Sequence, residues 1–176
     1  MLALCLSFVV VVLDQATKAA VRSHLALGDF VPVVSGLFDI RYIQNTGAAW
    51  GIFEGLNQWL VVFSLVMLVA IVAFRRHFFP GALISRIAAG LIVGGIAGNL
   101  IDRVRLNYVV DFLDFHWGVH HFPAFNVADS SICIGVGLYL IHQLTARTPA
   151  PETGTPAAPR HEEPPHRHTL CERRGE

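Results

Sequence analysis

Charged residues are scarce in this sequence and balance one another. Of the 176 residues, 13 are basic and 13 are acidic, whereas 53% are hydrophobic. Soluble domains are seldom this apolar, and a chain without net charge lacks the basic surface on which nucleic acids bind. We therefore expect a membrane protein with no nucleic-acid partner.

The sequence also lacks the patterns of several common sites. Of its three cysteines, Cys5 and Cys133 lie in apolar runs and Cys171 lies in a polar stretch, so neither a disulfide framework nor a metal-ligand spacing is indicated. It contains no Gly-x-Ser-x-Gly segment, no His-Glu-x-x-His helix and no phosphate-binding loop. The familiar serine hydrolase, zinc peptidase and nucleotide-binding patterns are thereby excluded.

What the sequence does have is four apolar runs, each close to the roughly 20 residues that cross a bilayer as a helix. They cover residues 1–21, interrupted by Asp14, and residues 59–74, 85–101 and 125–144. A cleaved signal peptide is the alternative for the first run, but that run has no basic start and no small-residue cleavage site, so we expect it to be retained. The third run is rich in glycine and alanine, as expected where helices approach closely in lipid.

Basic residues suggest how these four spans are oriented. Arg75, Arg76 and Arg86 fill the short loop between the second and third runs, and Arg147 closely follows the fourth. The positive-inside rule places that loop and both termini in the cytoplasm. The opposite ends of the spans then face outward.

Two segments outside the spans have distinct compositions. Residues 30–34 and 37–43 are β-rich and flank a Ser-Gly turn, which predicts a small hairpin or sheet on the membrane surface. The segment from Thr148 is rich in Pro, Glu, Arg and His and should be disordered; a solvated tail is a simpler role for His161, His166, His168 and Cys171 than metal binding. We thus expect an all-α membrane protein of four transmembrane helices with a small extracytoplasmic β-rich loop in residues 1–147, and a disordered cytoplasmic tail in residues 148–176.

Polar residues gather at one end of the predicted spans. Counting spans brings them to a single membrane face, whichever way the chain is oriented. The set comprises Asp14, Lys18, Asn45, Asn99, Asp102, Arg103, Asp111, Asn126 and Asp129. A charged side chain that faces lipid is costly, so these residues should point into the bundle.

For most of this set a structural role is the simplest hypothesis. Asp14 would pair with Lys18 one turn on, Asp102 would pair with Arg103, and Asn99 would satisfy a neighbouring helix backbone.

Asp111 and Asp129 suggest chemistry instead, because few cations lie near them in the sequence. Two carboxylates held close together share one proton, so one can take a proton from water while the other polarises a carbonyl.

A transporter that binds a proton or cation is the alternative, although such proteins place these groups nearer mid-membrane. A weaker alternative is a metal site formed by His116, His120 and His121 with Asp114, and a non-catalytic scaffold would leave the carboxylate pair unexplained.

Five short segments carry a resemblance to a known family. They are Asp14-Gln15-Ala16-Thr17-Lys18, Gln44-Asn45-Thr46-Gly47-Ala48-Ala49-Trp50-Gly51, Gly94-Gly95-Ile96-Ala97-Gly98-Asn99-Leu100-Ile101-Asp102-Arg103, Val109-Val110-Asp111-Phe112 and Phe125-Asn126-Val127-Ala128-Asp129-Ser130. In this order and on these spans they resemble the lipoprotein signal peptidases, also called signal peptidase II, over nearly the whole chain to about residue 145.

The resemblance implies a four-span aspartic endopeptidase of the bacterial inner membrane that uses no metal or other cofactor. Such an enzyme removes the signal peptide of a prolipoprotein by cutting just before its diacylglyceryl-modified cysteine, and the cyclic peptide globomycin inhibits the family. The family's catalytic pair falls on Asp111 and Asp129. Its supporting residues fall on Asp14, Asn45, Asn99, Asp102, Arg103 and Asn126.

The sequence departs from the family in two places. Trp50 stands where many members carry phenylalanine, a change that keeps an aromatic ring. The segment beyond Thr148 is longer and richer in proline than the family needs, so the resemblance says nothing about it.

Overall fold

A computed structural model gives the fold, and it describes residues 1–47, 52–79 and 81–145. The helices are α1 (Leu2–His24), α2 (Asn57–Ala73), α3 (Arg75–Phe78), α4 (Leu83–Leu106) and α5 (Val127–Thr145). The strands are β1 (Phe30–Val34), β2 (Phe38–Asn45), β3 (Val109–Trp117) and β4 (His120–His121). The predicted tail and the Ala48-to-Gly51 part of the second motif lie outside the described residues.

Among the described residues, three helices are long and apolar enough to cross a membrane, namely α1, α4 and α5. The segment of the predicted second span forms the apolar helix α2, whose 17 residues leave it shorter than these three. The third span is longer than predicted, because α4 continues from Ile101 to Leu106. Its last turns carry Asp102 and Arg103. The apolar pattern could not include these charged residues, but both have polar partners in the fold.

One face of α1 packs into the bundle. Its buried residues are Val10, Asp14, Lys18 and Val21, which are separated by four, four and three positions. This is the spacing of a single helix face, so two of its four buried side chains are charged. Asp14 and Lys18 both lie on this face, and both point at α4.

Glycines on α4 allow the helices to approach closely. A Cβ added at Gly94 would lie 2.7 Å from the Cβ of Val10 on α1, and Gly95 has an equally close neighbour on α5. A Cβ at Gly98 would lie 2.6 Å from Oδ2 of Asp14. Because real Cβ atoms do not approach other atoms this closely, only glycine fits at these positions without displacing a neighbour.

The β-rich region is larger than the sequence predicted. The four strands form an antiparallel arrangement in the order β1-β2-β3-β4, in which β1 and β2 are the expected hairpin. The sequence pattern predicts no strand for β3, whose first four residues are all buried and so lack the alternation that indicates a half-buried strand. In its register with β2, Val109 lies opposite Asn45 and Asp111 lies opposite Ile43, so the pairing brings Asn45 beside Asp111.

Replacement of Gly98 by alanine should destabilise the protein. The added methyl group has to displace the buried carboxylate of Asp14, and overpacking of this kind typically costs about 1–3 kcal/mol. Thermal unfolding in detergent measures the effect. The matched control is Gly137→Ala on α5, where an added Cβ meets no atom within 4 Å and the melting temperature should stay the same or rise. Equal melting temperatures for the two variants would contradict the close packing at Gly98.

Candidate active site

The two aspartates singled out by the sequence lie on different elements that meet at one end of the bundle. Asp111 is the third residue of β3 and is only 2% exposed, whereas Asp129 lies half-buried in the first turn of α5. The start of β3 is held by Asp102, whose Oδ2 accepts the Val110 N–H at 3.1 Å. The end of α4 therefore fixes the strand that carries Asp111.

Asn126 joins the two carboxylates. Its side-chain Nδ2 donates to Asp111 Oδ1 at 2.7 Å, and its backbone N–H donates to Asp129 Oδ2 at 3.2 Å. Its Oδ1 accepts the Asp129 N–H at 3.0 Å, which makes Asn126 and Asp129 a reciprocal capping box at the start of α5. The same contacts that begin the helix thus also hold Asp129 next to Asp111.

Each of the remaining carboxylate oxygens of the pair accepts one side-chain amide. Asn45 on β2 donates to Asp111 Oδ2 at 2.8 Å, and Asn99 on α4 donates to Asp129 Oδ1 at 2.7 Å. The pair is therefore held by donors from β2, α4 and the start of α5. This explains how residues far apart in sequence converge on one site.

The environment of Asp111 favours its protonated form. Burial, followed by the negative charge of Asp129, raises the pKa of Asp111 to about 7, although the amides of Asn45 and Asn126 act in the opposite direction. At neutral pH Asp111 is thus partly protonated beside the second carboxylate of the pair. A pair in this state can donate and accept a proton in the same reaction.

A second network lies behind the carboxylate pair and centres on Lys18. The ammonium group of Lys18 is 2% exposed and contacts Asp14 Oδ2 at 2.9 Å, Asp102 Oδ2 at 3.1 Å and Asn99 Oδ1 at 2.8 Å. These three acceptors use all three N–H groups of the lysine. The side-chain oxygen of Asn99 faces Lys18, so the NH₂ group of the same amide has to face Asp129.

Asp14 links this network to α5. Its Oδ1 accepts the backbone N–H of Ala128 at 2.9 Å, while its Oδ2 accepts Lys18. The N–H groups in the first turn of a helix have no partner within the helix, so this contact satisfies one of them. The expected pairing of Asp14 with Lys18 is confirmed, and the carboxylate has this additional role.

Two sequence-based pairings are wrong. The salt bridge of Asp102 is with Lys18, not Arg103, because consecutive residues of a helix point in different directions. Asn99 contacts side chains and not a helix backbone. Arg103 instead donates through Nη2 to the Gly47 carbonyl at 3.3 Å, so it contacts the turn that follows β2.

The sequence underestimated Lys18. It was predicted only as the partner of Asp14, yet it connects both acidic residues behind the site to Asn99. The available signal was a lysine four residues after an aspartate within an apolar run, where an unpaired charge would be costly. The spacing revealed the first partner on α1 but not the two partners on α4.

Two of the three histidines considered as metal ligands lie beside carboxylates. Nδ1 of His121 lies 2.9 Å from Asp114 Oδ1, and Nε2 of His116 lies 3.2 Å from Asp39 Oδ2. Among the described residues there is no group of three or more His, Cys, Asp or Glu side chains arranged to hold a metal ion. These histidines lie beside the acidic side chains of the sheet.

Comparison with known proteins identifies the class to which this site belongs. A family model described as signal peptidase (SPase) II matches residues 6–145. Two solved bacterial membrane enzymes, both determined by the in meso method, are 36% identical and have TM-scores of 0.75 and 0.73. The matches cover 81% and 82% of this chain and 87% and 94% of the solved chains.

Curated relatives agree with this class. The lipoprotein signal peptidase of Syntrophotalea carbinolica is 46% identical over 143 residues, which are 80% of this chain and 89% of the relative. That of Bacillus velezensis is 40% identical, covering 82% of this chain and 94% of the relative. The chain belongs to the signal peptidase II family and is accordingly a membrane-embedded aspartic protease.

The two functions of Asn126 can be separated by substitution. Serine is a good N-cap residue but is too short to replace the buried amide, which donates to Asp111 and also to Asn99 and the Val110 carbonyl. Asn126→Ser should therefore lose turnover but keep the helix cap. Asn126→Ala should lose turnover and also about 0.5–2 kcal/mol of stability. Melting curves and initial rates in detergent distinguish these effects. A wild-type rate for Asn126→Ser would show that the contact with Asp111 has no catalytic importance.

Proposed function

We propose that Asp111 and Asp129 form the catalytic dyad of this peptidase. The observation that carries the proposal is the link between two carboxylates through Asn126, with the pKa of one of them raised to about 7. The ionised carboxylate takes a proton from a water molecule, whose oxygen attacks the scissile carbonyl carbon. The protonated carboxyl donates its proton to the carbonyl oxygen, and the intermediate then collapses as the leaving nitrogen is protonated.

The substrate that best fits this chemistry is a diacylglyceryl-modified prolipoprotein, cut just before its lipidated cysteine. The names of the relatives support this substrate class. So does the position of the carboxylates at one end of helices apolar enough to cross a membrane, because the cleaved bond follows an apolar signal segment. We further propose that membrane lipid contacts the enzyme near the site and that globomycin inhibits it. No metal or other cofactor is needed, since the carboxylates alone can activate water.

The supporting residues have distinct positioning roles in this proposal. Asn45, Asn99 and Asn126 each orient one or both reacting carboxylates. Asp14 and Asp102 hold Lys18, which sets the orientation of Asn99. The last member of the set, Arg103, fixes the turn at Gly47 next to Asn45.

We also propose that α2 crosses the membrane as a fourth span. Its 17 residues are at the short end of the range for a transmembrane helix. Four spans put both termini on one side, and Arg75, Arg76 and Arg86 favour the cytoplasm for that side. The dyad and the sheet then face outward, with residues 1–147 as the membrane domain and residues 148–176 as a cytoplasmic tail.

The transporter alternative has less support. The relatives are peptidases by name, and the carboxylates lie at a helix start and on a strand. Transporters of the relevant type place such groups near the middle of the membrane.

Purified protein incubated with a synthetic prolipoprotein tests the activity and its dyad. Asp111→Asn and Asp129→Asn should each lower the rate at least 10²-fold, because either amide removes a proton-transfer group, and neither should abolish folding. The products are measured by mass spectrometry, which also locates the cleaved bond. The matched control is Asp39→Asn, which changes a buried carboxylate of the sheet that lies beside His116.

Two outcomes would contradict this assignment. One is an Asp129→Asn variant that keeps more than about a tenth of the wild-type rate. The other is cleavage of the unlipidated peptide as fast as the lipidated one, which would remove the proposed substrate specificity while leaving the dyad intact.

The rate should depend on pH with a decline above about pH 7. Asp111 keeps its proton below its raised pKa and loses it above, so at higher pH the proton donor is lost. A tenfold fall per pH unit is expected on the alkaline side. Initial rates at saturating substrate measure the profile, with melting temperature recorded at each pH as the control. A rate that stays constant to pH 9 would show that the dyad does not act through a shared proton.

A further inference from the structure

A cavity of about 130 Å³ lies between α1 and α4, near the ends of these helices that face the sheet. Its inner wall includes Lys18 and Asp102, and its rim includes Arg22 and Arg105. Three of these four side chains are cations. The cavity is separate from the carboxylate pair, since neither Asp111 nor Asp129 lines it.

The inner wall offers no unused donor. The ammonium group of Lys18 already has three acceptors, and its charge is matched by Asp14 and Asp102. Gln15, which also lines the cavity, donates to Asp102 Oδ1 at 3.0 Å and to the Gly98 carbonyl at 3.2 Å. A ligand in the cavity must therefore be held by the rim.

The two rim arginines are available for a ligand. Neither Arg22 nor Arg105 forms a salt bridge with any residue that the structure describes, and both are exposed. The hydroxyl of Tyr42 is a partner of Arg22, which uses only part of the donor capacity of that guanidinium. Each arginine also lies in the last turn of its helix, where it offsets the negative end of the helix dipole. That role accounts for one arginine on each helix but not for their convergence on one cavity.

We infer that this cavity binds the phosphodiester group of a membrane phospholipid. Guanidinium groups bind phosphate oxygens through paired hydrogen bonds, and two arginines on one rim, neither in a salt bridge with a described residue, match a single anionic group. Both helices are long and apolar enough to cross a membrane, so their ends lie at the depth of the lipid headgroups. A lipid is therefore the phosphate source that the cavity meets at the highest local concentration. This inference is independent of the proposed dyad.

Native mass spectrometry of the full chain in a non-ionic detergent tests it, with dioctanoyl phosphatidylglycerol as the probe. Dioctanoylglycerol, which lacks the phosphate, and inorganic phosphate are the comparison ligands. The test variant is Arg22→Gln with Arg105→Gln. The matched control is Arg75→Gln with Arg76→Gln, which removes two exposed arginines from α3.

The wild type and the control pair should bind one phosphatidylglycerol with equal affinity, and the test pair should bind it roughly tenfold more weakly, as expected when charge-assisted hydrogen bonds are lost. Arg22→Lys with Arg105→Lys should bind more weakly than the wild type but more tightly than the glutamine pair, because an ammonium group supplies the charge without the paired hydrogen bonds. Raised salt should weaken binding to the wild type. These two measurements still apply if the glutamine pair does not fold.

Several outcomes would overturn the inference. They are equal binding by the wild type and the folded test pair, an equal loss in the control pair, equal binding of dioctanoylglycerol, or displacement of the lipid by millimolar inorganic phosphate. The last result would identify a site for free phosphate and not for a lipid.

Discussion

The buried ammonium group of Lys18 is the contact on which the rest of the site depends. It lies on α1, both of its acidic partners would be unpaired without it, and breaking such a buried pair typically costs about 3–5 kcal/mol. The third contact of Lys18 fixes the amide of Asn99. That amide in turn donates to one oxygen of Asp129. One desolvated cation therefore joins α1 to α4 and, through Asn99, orients Asp129 on α5. Membrane packing and site geometry are not separable in this fold.

Glycine makes this arrangement possible in lipid. A lysine and two carboxylates can be buried between helices only if the backbones approach closely enough to exclude lipid and water from around them. Gly94 and Gly98 on α4 provide that approach to α1, and Gly98 leaves the space that Asp14 occupies. Tight packing by small residues is thus a condition for placing charges at this depth.

Features that depend on composition and on counting spans could be predicted from the sequence. Apolar runs gave the helices, and the span count brought the site residues to one end. Contacts that depend on tertiary approach could not be derived in this way, since spacing on α1 reveals Asp14 as the partner of Lys18 but not Asp102 or Asn99. The strand β3 was missed because it pairs with a distant part of the chain, which leaves no local turn signal. Asn45 and Asp111, which this pairing brings together, are 66 residues apart in sequence.

The capping box at the start of α5 links the helix cap to the charge of Asp129. Asp129 Oδ2 accepts the Asn126 backbone N–H, so a carboxylate that exchanges a proton in the proposed reaction is also part of the helix cap. A neutral carboxyl is a weaker acceptor than a carboxylate, so protonation of Asp129 in the proposed reaction would weaken this contact of the first turn of α5. On that proposal, the strength of the helix cap depends on the charge of the same side chain that exchanges the proton.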